Sequence, residues 1–168
     1  MITTICAIMS CVGCFWGIEL AFQRVPGVVT TEVGYTQGNT ANPTYEEVCE
    51  GNTGHVEAVQ VIYDTSVLSY EELLTVFWDL IDPTTRNKQG GDEGPQYRSG
   101  IYYHTDLQKR AALKSRDEIQ KKYPNASVKT EIMMAITFYP AEEFHQHYLQ
   151  KGGQSACRGD KTPIRCYG

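Results

Sequence analysis

The feature that most constrains the fold is a strongly apolar strand, His55-Val56-Glu57-Ala58-Val59-Gln60-Val61-Ile62-Tyr63. Side chains alternate between the two faces of a strand, and here both alternating sets are largely apolar, so both faces look buried. Glu57 shares a face with Val59 and Val61. A carboxyl group there would be desolvated, which raises its pKa and keeps it protonated near neutrality. The alternative is that Glu57 lies at an exposed strand end or pairs with a base.

Patterns typical of helices and strands surround this strand in a definite order. The predicted elements are strand 3–12, helix 15–24, strand 28–35, a short capped helix ending near residue 51, strand 55–63, helix 69–82, strand 97–104, helix 105–123, strand 128–138 and helix 142–150. Residues 83–96 are rich in Gly and Pro and are predicted as a long surface loop. The order β-α-β-β-α-β, then α-β-α, predicts an α+β fold with a ferredoxin-like split βαβ core, in which helices pack on a mixed, largely antiparallel sheet.

Length and composition predict one domain over residues 1–168, with a core at 1–150 and a loosely structured C-terminal tail at 151–168. The net charge of -5 argues against a nucleic-acid partner. No apolar run reaches the roughly 18 residues of a membrane span. Six cysteines are too sparse for a disulfide scaffold. Because no targeting segment is evident, we expect a cytoplasmic protein, and we expect a monomer.

Cys14 is the first candidate for chemistry. It follows Gly13 and precedes Phe15-Trp16-Gly17, where the first strand gives way to the first helix. A helix start offers free N–H groups and a positive dipole end, which stabilise the nucleophilic thiolate. Two rings beside the sulfur suit a small, soft, apolar electrophile, and a protonated Glu57 could donate a proton to it. The alternative is a buried structural cysteine in a tight turn.

The sequence resembles the A-type peptide methionine sulfoxide reductases in several blocks that follow the family order along nearly the whole chain. The matching blocks are Gly13-Cys14-Phe15-Trp16-Gly17, Asn42-Pro43-Thr44-Tyr45-Glu46-Glu47-Val48-Cys49, Gly54-His55-Val56-Glu57-Ala58-Val59, Gln89-Gly90-Gly91-Asp92-Glu93-Gly94-Pro95-Gln96-Tyr97-Arg98-Ser99, His145-Gln146-His147-Tyr148-Leu149 and Ile164-Arg165-Cys166-Tyr167-Gly168.

The resemblance implies roles for seven side chains around one small pocket. They are the nucleophile Cys14, the proton donor Glu57, the partners of the sulfoxide oxygen Tyr45 and Tyr97, the methyl-binding rings Phe15 and Trp16, and the orienting Asp92. The implied substrate is the S epimer of methionine sulfoxide, as the free amino acid or in oxidised proteins. The implied reductant is thioredoxin or a chemical dithiol, with no bound cofactor and no metal.

Attack by Cys14 would leave a sulfenic acid, which a second thiol normally clears as a disulfide. Cys157 and Cys166 lie in the Gly-rich tail and are the candidate resolving cysteines, with their order left open. Local resolution of Cys14 by Cys11 is a further alternative. Cys6 and Cys49 are assigned to packing.

Two alternatives use Cys11, where the family usually has a small residue without a thiol. Cys11-Val12-Gly13-Cys14 has the C-x-x-C spacing of a thiol-disulfide oxidoreductase. A non-enzymatic metal module built on Cys11, Cys14, Cys157 and Cys166 is disfavoured, because eight residues separate its second pair. His145 and His147, on the last predicted helix, are expected to face solvent or support the site rather than bind metal.

Overall fold

A computed structural model of the chain describes residues 3–10 and 14–166. Its strands are β1 (Thr4–Ser10), β2 (Val28–Thr36), β3 (Val56–Asp64), β4 (Lys88–Gln89), β5 (Asp92–Glu93), β6 (Gly100–Tyr103), β7 (Glu131–Met134) and β8 (Tyr139–Pro140). Its α-helices are α1 (Phe15–Gln23), α2 (Tyr45–Cys49), α3 (Tyr70–Leu80), α4 (Asp106–Lys122) and α5 (Tyr148–Lys151). Within the described residues, no helix is long and apolar enough to cross a membrane.

The main sheet has six strands in the order β7-β6-β1-β3-β2-β8. Strand β3 lies between β1 and β2 and is antiparallel to both, and β1 is antiparallel to β6. The strands β6-β1-β3-β2 therefore form the split βαβ arrangement, in which α1 connects the parallel strands β1 and β2 across β3. The outer pair β6 and β7 is parallel, so the sheet is mixed. The predicted fold class is confirmed.

Local sequence signals account for much of this architecture. Thr44 caps α2 and Ser69 caps α3, each with a reciprocal capping box to the glutamate three residues later. The apolar face of α3 is buried in the main core cluster, with Leu73, Leu74 and Phe77 fully enclosed. Strand β3 begins with four consecutive buried residues, 56–59, which agrees with a strand buried on both faces.

The predicted helix over residues 142–150 is wrong. A 3₁₀ turn at Glu143–His145 is separated from α5 by Gln146 and His147, and His147 has a left-handed φ of 53°. The Gln146 amide holds the chain extended here, because it accepts from the Val33 N–H at 2.9 Å and donates to the Val33 carbonyl at 2.8 Å. The His147 N–H donates to the buried carboxylate of Glu19 at 2.9 Å. These tertiary bonds replace the next helical turn.

The predicted strand over residues 128–138 is also too long, since only Glu131–Met134 pairs with β6 and Tyr139–Pro140 pairs separately with β2. The predicted loop at 83–96 contains the two-residue hairpin of β4 and β5. The hairpin places Asp92 beside the start of α1, so this loop supplies part of the site.

Candidate active site

Cys14 is the N-cap residue of α1, at the predicted junction of strand and helix. Its backbone N–H donates to Asp92 Oδ2 at 3.1 Å. Burial raises the pKa of the Cys14 thiol to about 12, and the opposing effect of the Trp16 N–H is smaller. A thiol with this pKa is protonated at neutral pH, in contrast to the thiolate that the helix start led us to expect. A helix end favours the thiolate, but loss of hydration outweighs it here.

Glu57 is the second residue of β3, and only 2% of its surface is exposed. Its Oε2 accepts a hydrogen bond from the Phe15 N–H at 3.3 Å, so the carboxyl group lies against the first turn of α1. Burial raises its pKa to about 8, and Asp92 adds a smaller effect in the same direction. The carboxyl group is therefore largely protonated at neutral pH, as alternation along β3 predicts.

Tyr45 begins α2, and Tyr97 ends the 3₁₀ turn Pro95–Tyr97. Burial is the main cause that raises the pKa of each phenol, and the charge of Glu57 contributes to both. The two phenols thus come from two separate segments of the chain to the neighbourhood of one carboxyl group. Cys49, on the same helix as Tyr45, is exposed, so the assignment of Cys49 to packing is wrong.

His145 is the residue around which the aromatic side chains of the site gather. Only 1% of its surface is exposed, and its ring centroid lies 5.2 Å from that of Phe15 and 4.6 Å from that of Tyr45. Trp16 donates from Nε1 to His145 Nδ1 at 3.0 Å and stacks on Tyr148 at 3.8 Å between centroids. The expectation that His145 faces solvent or supports the site is therefore correct only in its second part, since the ring braces the Trp16 indole.

Two further charged residues brace the walls of the site, and the sequence interpretation missed both. Glu142 accepts from the Tyr35 hydroxyl at 3.1 Å and from the Tyr45 N–H at 3.2 Å, which fixes the start of α2. Arg98 donates to the carbonyls of Pro95 and Gly54 and to the Glu131 carboxylate. Arg98 lies in one of the family-like blocks and Glu142 in none, and nothing local in the sequence indicates which distant carbonyls or hydroxyls they contact.

The two candidate resolving cysteines lie at opposite ends of α1. A Cβ atom built on Gly17 would come within 2.9 Å of the Cys166 sulfur, so this thiol packs directly on the first turn of the helix. Its charge also contributes to the raised pKa of Cys14. Cys157 is exposed and belongs to the turn whose Gly159 N–H donates to the Arg24 carbonyl at the helix end. The helix spans about 13 Å, so Cys166 is the thiol near Cys14.

Cys11 lies outside the described residues, so the structure does not place the C-x-x-C pair. Within residues 3–10 and 14–166, no three side chains among His, Cys, Asp and Glu form a group that could hold a metal ion.

The family model for peptide methionine sulfoxide reductase matches residues 6–166. Over 161 residues the chain is 58% identical to the chloroplastic peptide methionine sulfoxide reductase A4 of Arabidopsis thaliana, an alignment that covers 93% of this chain and 62% of the relative. Reduced Mxr1 from Saccharomyces cerevisiae superposes with a TM-score of 0.84 at 37% identity, covering 90% of this chain and 87% of Mxr1. Mxr1 in complex with Trx2 superposes with a TM-score of 0.60 at 26% identity, covering 86% and 84%.

The chain spans about three fifths of the length of the Arabidopsis relative. That relative is chloroplastic by name, so the prediction of a cytoplasmic location is wrong. The prediction rested on the absence of a targeting pattern, whereas the similarity lies in the folded domain. The rest of the relative's length lies outside the match, and a targeting sequence there would leave no pattern in the shared domain.

Proposed function

This chain belongs to the peptide methionine sulfoxide reductase family, and we propose that it reduces the S epimer of methionine sulfoxide to methionine, with Cys14 as nucleophile and Glu57 as proton donor. The observation that carries the proposal is the 3.3 Å hydrogen bond from the Phe15 N–H to Glu57 Oε2. Because Phe15 directly follows Cys14, this bond brings the nucleophile and the acid to one small site.

The protonation states suit a sulfoxide substrate. A sulfoxide is a poor electrophile until its oxygen is protonated or strongly hydrogen-bonded, and Glu57 with a pKa of about 8 carries the required proton at neutrality. Since Oε2 accepts from Phe15, that proton belongs on Oε1. As the sulfoxide oxygen takes it, the Cys14 thiol gives its own proton to the carboxylate and attacks the sulfoxide sulfur.

The atoms balance without an external reductant in this first step. The oxygen moves from the substrate sulfur to the Cys14 sulfur, so that methionine and a Cys14 sulfenic acid are formed. The cysteine sulfur is oxidised and the substrate sulfur is reduced by the same two electrons. Glu57 ends the step protonated and is ready for the next one.

We assign substrate recognition to the aromatic side chains. Phe15 is buried and Trp16 is half-buried, so the two rings offer an apolar surface for the methyl group on the sulfoxide sulfur. The hydroxyls of Tyr45 and Tyr97 would donate to the sulfoxide oxygen. Asp92 holds the Cys14 backbone by its hydrogen bond and orients the sulfur. A fixed methyl site, a fixed oxygen site and the fixed direction of attack by the Cys14 sulfur together distinguish the two epimers.

We propose that Cys166 resolves the sulfenic acid, because its sulfur packs on the first turn of α1. Cys157 would then attack the Cys14–Cys166 disulfide at Cys166, which moves the disulfide to an exposed position. Thioredoxin or a chemical dithiol would reduce it, and the solved complex of the relative Mxr1 with Trx2 supports a thioredoxin as the donor. All proposed groups come from one copy of one domain, which fits a monomer without a bound cofactor or metal.

The test measures methionine formed from each epimer of methionine sulfoxide, free and in an oxidised peptide, with dithiothreitol as donor. Wild type is expected to reduce the S epimer only. Cys14→Ser should be inactive, and Glu57→Gln should lose about 10²- to 10⁴-fold, the usual worth of a general acid. Cys6→Ser, a half-buried thiol on β1, is the matched control and should retain activity.

Equal turnover of both epimers would refute the proposal. Reduction of insulin disulfides without any sulfoxide present would instead favour the thiol-disulfide oxidoreductase built on Cys11 and Cys14.

A further inference from the structure

The C-terminal tail runs back along α1 from the end of the helix to its start. At the helix end, the Gly159 N–H donates to the Arg24 carbonyl at 2.8 Å. At the helix start, the Cys166 sulfur packs against Gly17. The described part of the tail after Gly153 has no helix or strand, so individual hydrogen bonds have to hold this course.

Arg24 supplies two of these bonds from one side chain. It caps α1 at its C-terminal end, and only 8% of its surface is exposed. Its Nε donates to the Ser155 carbonyl at 2.9 Å and its Nη1 donates to the Thr162 carbonyl at 2.6 Å. One rigid guanidinium group therefore binds two points, near the start and near the end, of the segment from Gln154 to Arg165, which we call the tail loop.

The tail loop is also closed on itself. The Asp160 carboxylate accepts from the Thr162 N–H at 2.8 Å, and hydrogen bonds from Ser155 and Thr162 hold its pKa below the usual range, with a smaller contribution from the charge of Arg24. The Gln154 side-chain amide pairs in both directions with the backbone of Arg165, immediately before Cys166. The tail loop is thus closed by its own hydrogen bonds and is held by the Arg24 side chain.

We propose that Arg24 is a positioning residue for recycling. Its side chain holds the tail loop in place, so that the Cys166 sulfur stays over the first turn of α1 beside Cys14. The inference rests on the proposed function. In the step concerned, the Cys166 thiol attacks the Cys14 sulfenic sulfur, the S–S bond forms, the S–O bond breaks, and the hydroxyl leaves as water with the thiol proton.

The expected change in the rate of disulfide formation follows from the length of unanchored chain between the Cys166 sulfur and the nearest remaining anchor. With Thr162 anchored, about 4 residues separate the anchor from Cys166. When the Arg24 side chain is replaced, the Gly159 N–H can still donate to the backbone carbonyl of residue 24, which leaves a free length of about 7 residues. The effective concentration of a tethered group falls as about the −3/2 power of tether length, so disulfide formation should slow about twofold. Formation of methionine in the first turnover, which needs no tail thiol, should not change.

The test separates these two steps in a rapid-quench experiment without reductant. Arg24→Met keeps the aliphatic length of the side chain but removes the donors, and it should form the first methionine per enzyme at the wild-type rate. Its sulfenic acid, trapped with a cyclic dione, should persist about twofold longer than in wild type. Arg24→Lys, which keeps one donor group, should recover part of the lost rate. Arg110→Met makes the same change on the exposed face of α4 and should leave both steps unaltered.

Asp160→Ala weakens the same anchoring of the tail loop by a change in the loop itself, outside the sheet and helices. It tests the proposal independently if Arg24→Met is poorly folded. It should also lengthen the life of the sulfenic acid. Wild-type rates of disulfide formation in both variants would overturn the role of Arg24. A wild-type enzyme that forms no methionine would instead refute the proposed function.

Discussion

Replacing Glu57 by Gln is expected to stabilise the folded protein at alkaline pH while it removes the proposed acid. Burial raises the pKa of Glu57 from an ordinary value of 4.5 to about 8. Between these values the folded chain keeps a proton that the unfolded chain has released, so the free energy of unfolding falls as pH rises. The slope is about 1.4 kcal/mol per pH unit, and over the interval of about 3.5 units wild type loses at most about 5 kcal/mol.

The Glu57→Gln variant would have no such loss, because an amide does not ionise and its carbonyl can still accept from the Phe15 N–H. The two proteins should therefore differ little near pH 4.5 and diverge steadily towards pH 8. Urea unfolding from about pH 5 to about pH 9 measures the difference directly. Glu118→Gln, an exposed carboxyl group on α4, is the matched control and should follow wild type. Parallel curves for wild type and Glu57→Gln would refute the reasoning.

The same ionisation should limit catalysis. Because the protonated form of Glu57 is the proposed donor, kcat/KM for the S epimer should be level below pH 8 and fall about tenfold per unit above it. The measurement is the pH profile of wild type with a saturating chemical dithiol. A rate that climbs through pH 9 would mean that ionisation of the thiol, and not the acid, controls the step.

Two further predictions concern the ends of the site. Gly17→Ala should make α1 more stable by about 0.5–1 kcal/mol, since Ala is the better helix former. It should also slow disulfide formation about tenfold, because the new Cβ displaces the Cys166 sulfur. Thermal unfolding measures the first effect, and the loss of free thiols with time measures the second. Tyr148→Ala should raise KM about two- to tenfold with little change in kcat, because Trp16 loses its stacked ring, whereas Tyr123→Ala, which is equally exposed at 37%, should leave KM unchanged in steady-state assays.

The sequence revealed those parts of the site that depend on local pattern. Alternation along β3 favours a buried, protonated Glu57, and the structure buries this carboxyl group. The position of Cys14 at a helix start could also be read from the glycine and the apolar runs around it. The fold class followed from the order of such local patterns, and the sheet confirms it.

The features that could not be predicted depend on contacts between distant segments. The pKa of Cys14 depends on how deeply the strand-helix junction is buried, and no neighbouring residue encodes that depth. The break in the last helix follows from bonds that Gln146 makes to β2 and that His147 makes to Glu19, more than 100 residues away. Because that break turns His145 inwards, the residue at the centre of the aromatic cluster could not be found from helical spacing.

The direction of the Cys14 shift changes how the reaction has to start. A thiol with a pKa of about 12 and a carboxyl group with a pKa of about 8 are both neutral at pH 7, and a charge on Glu57 raises the pKa of Cys14 further. The site therefore disfavours two negative charges at once, and a resident thiolate would also repel the negative end of the sulfoxide dipole. A neutral pair avoids both problems: one proton moves from sulfur to carboxylate as another moves from the carboxyl group to the substrate oxygen. The buried site then gains no net charge during attack, so the burial that makes the thiol a weak acid does not oppose the proposed chemistry.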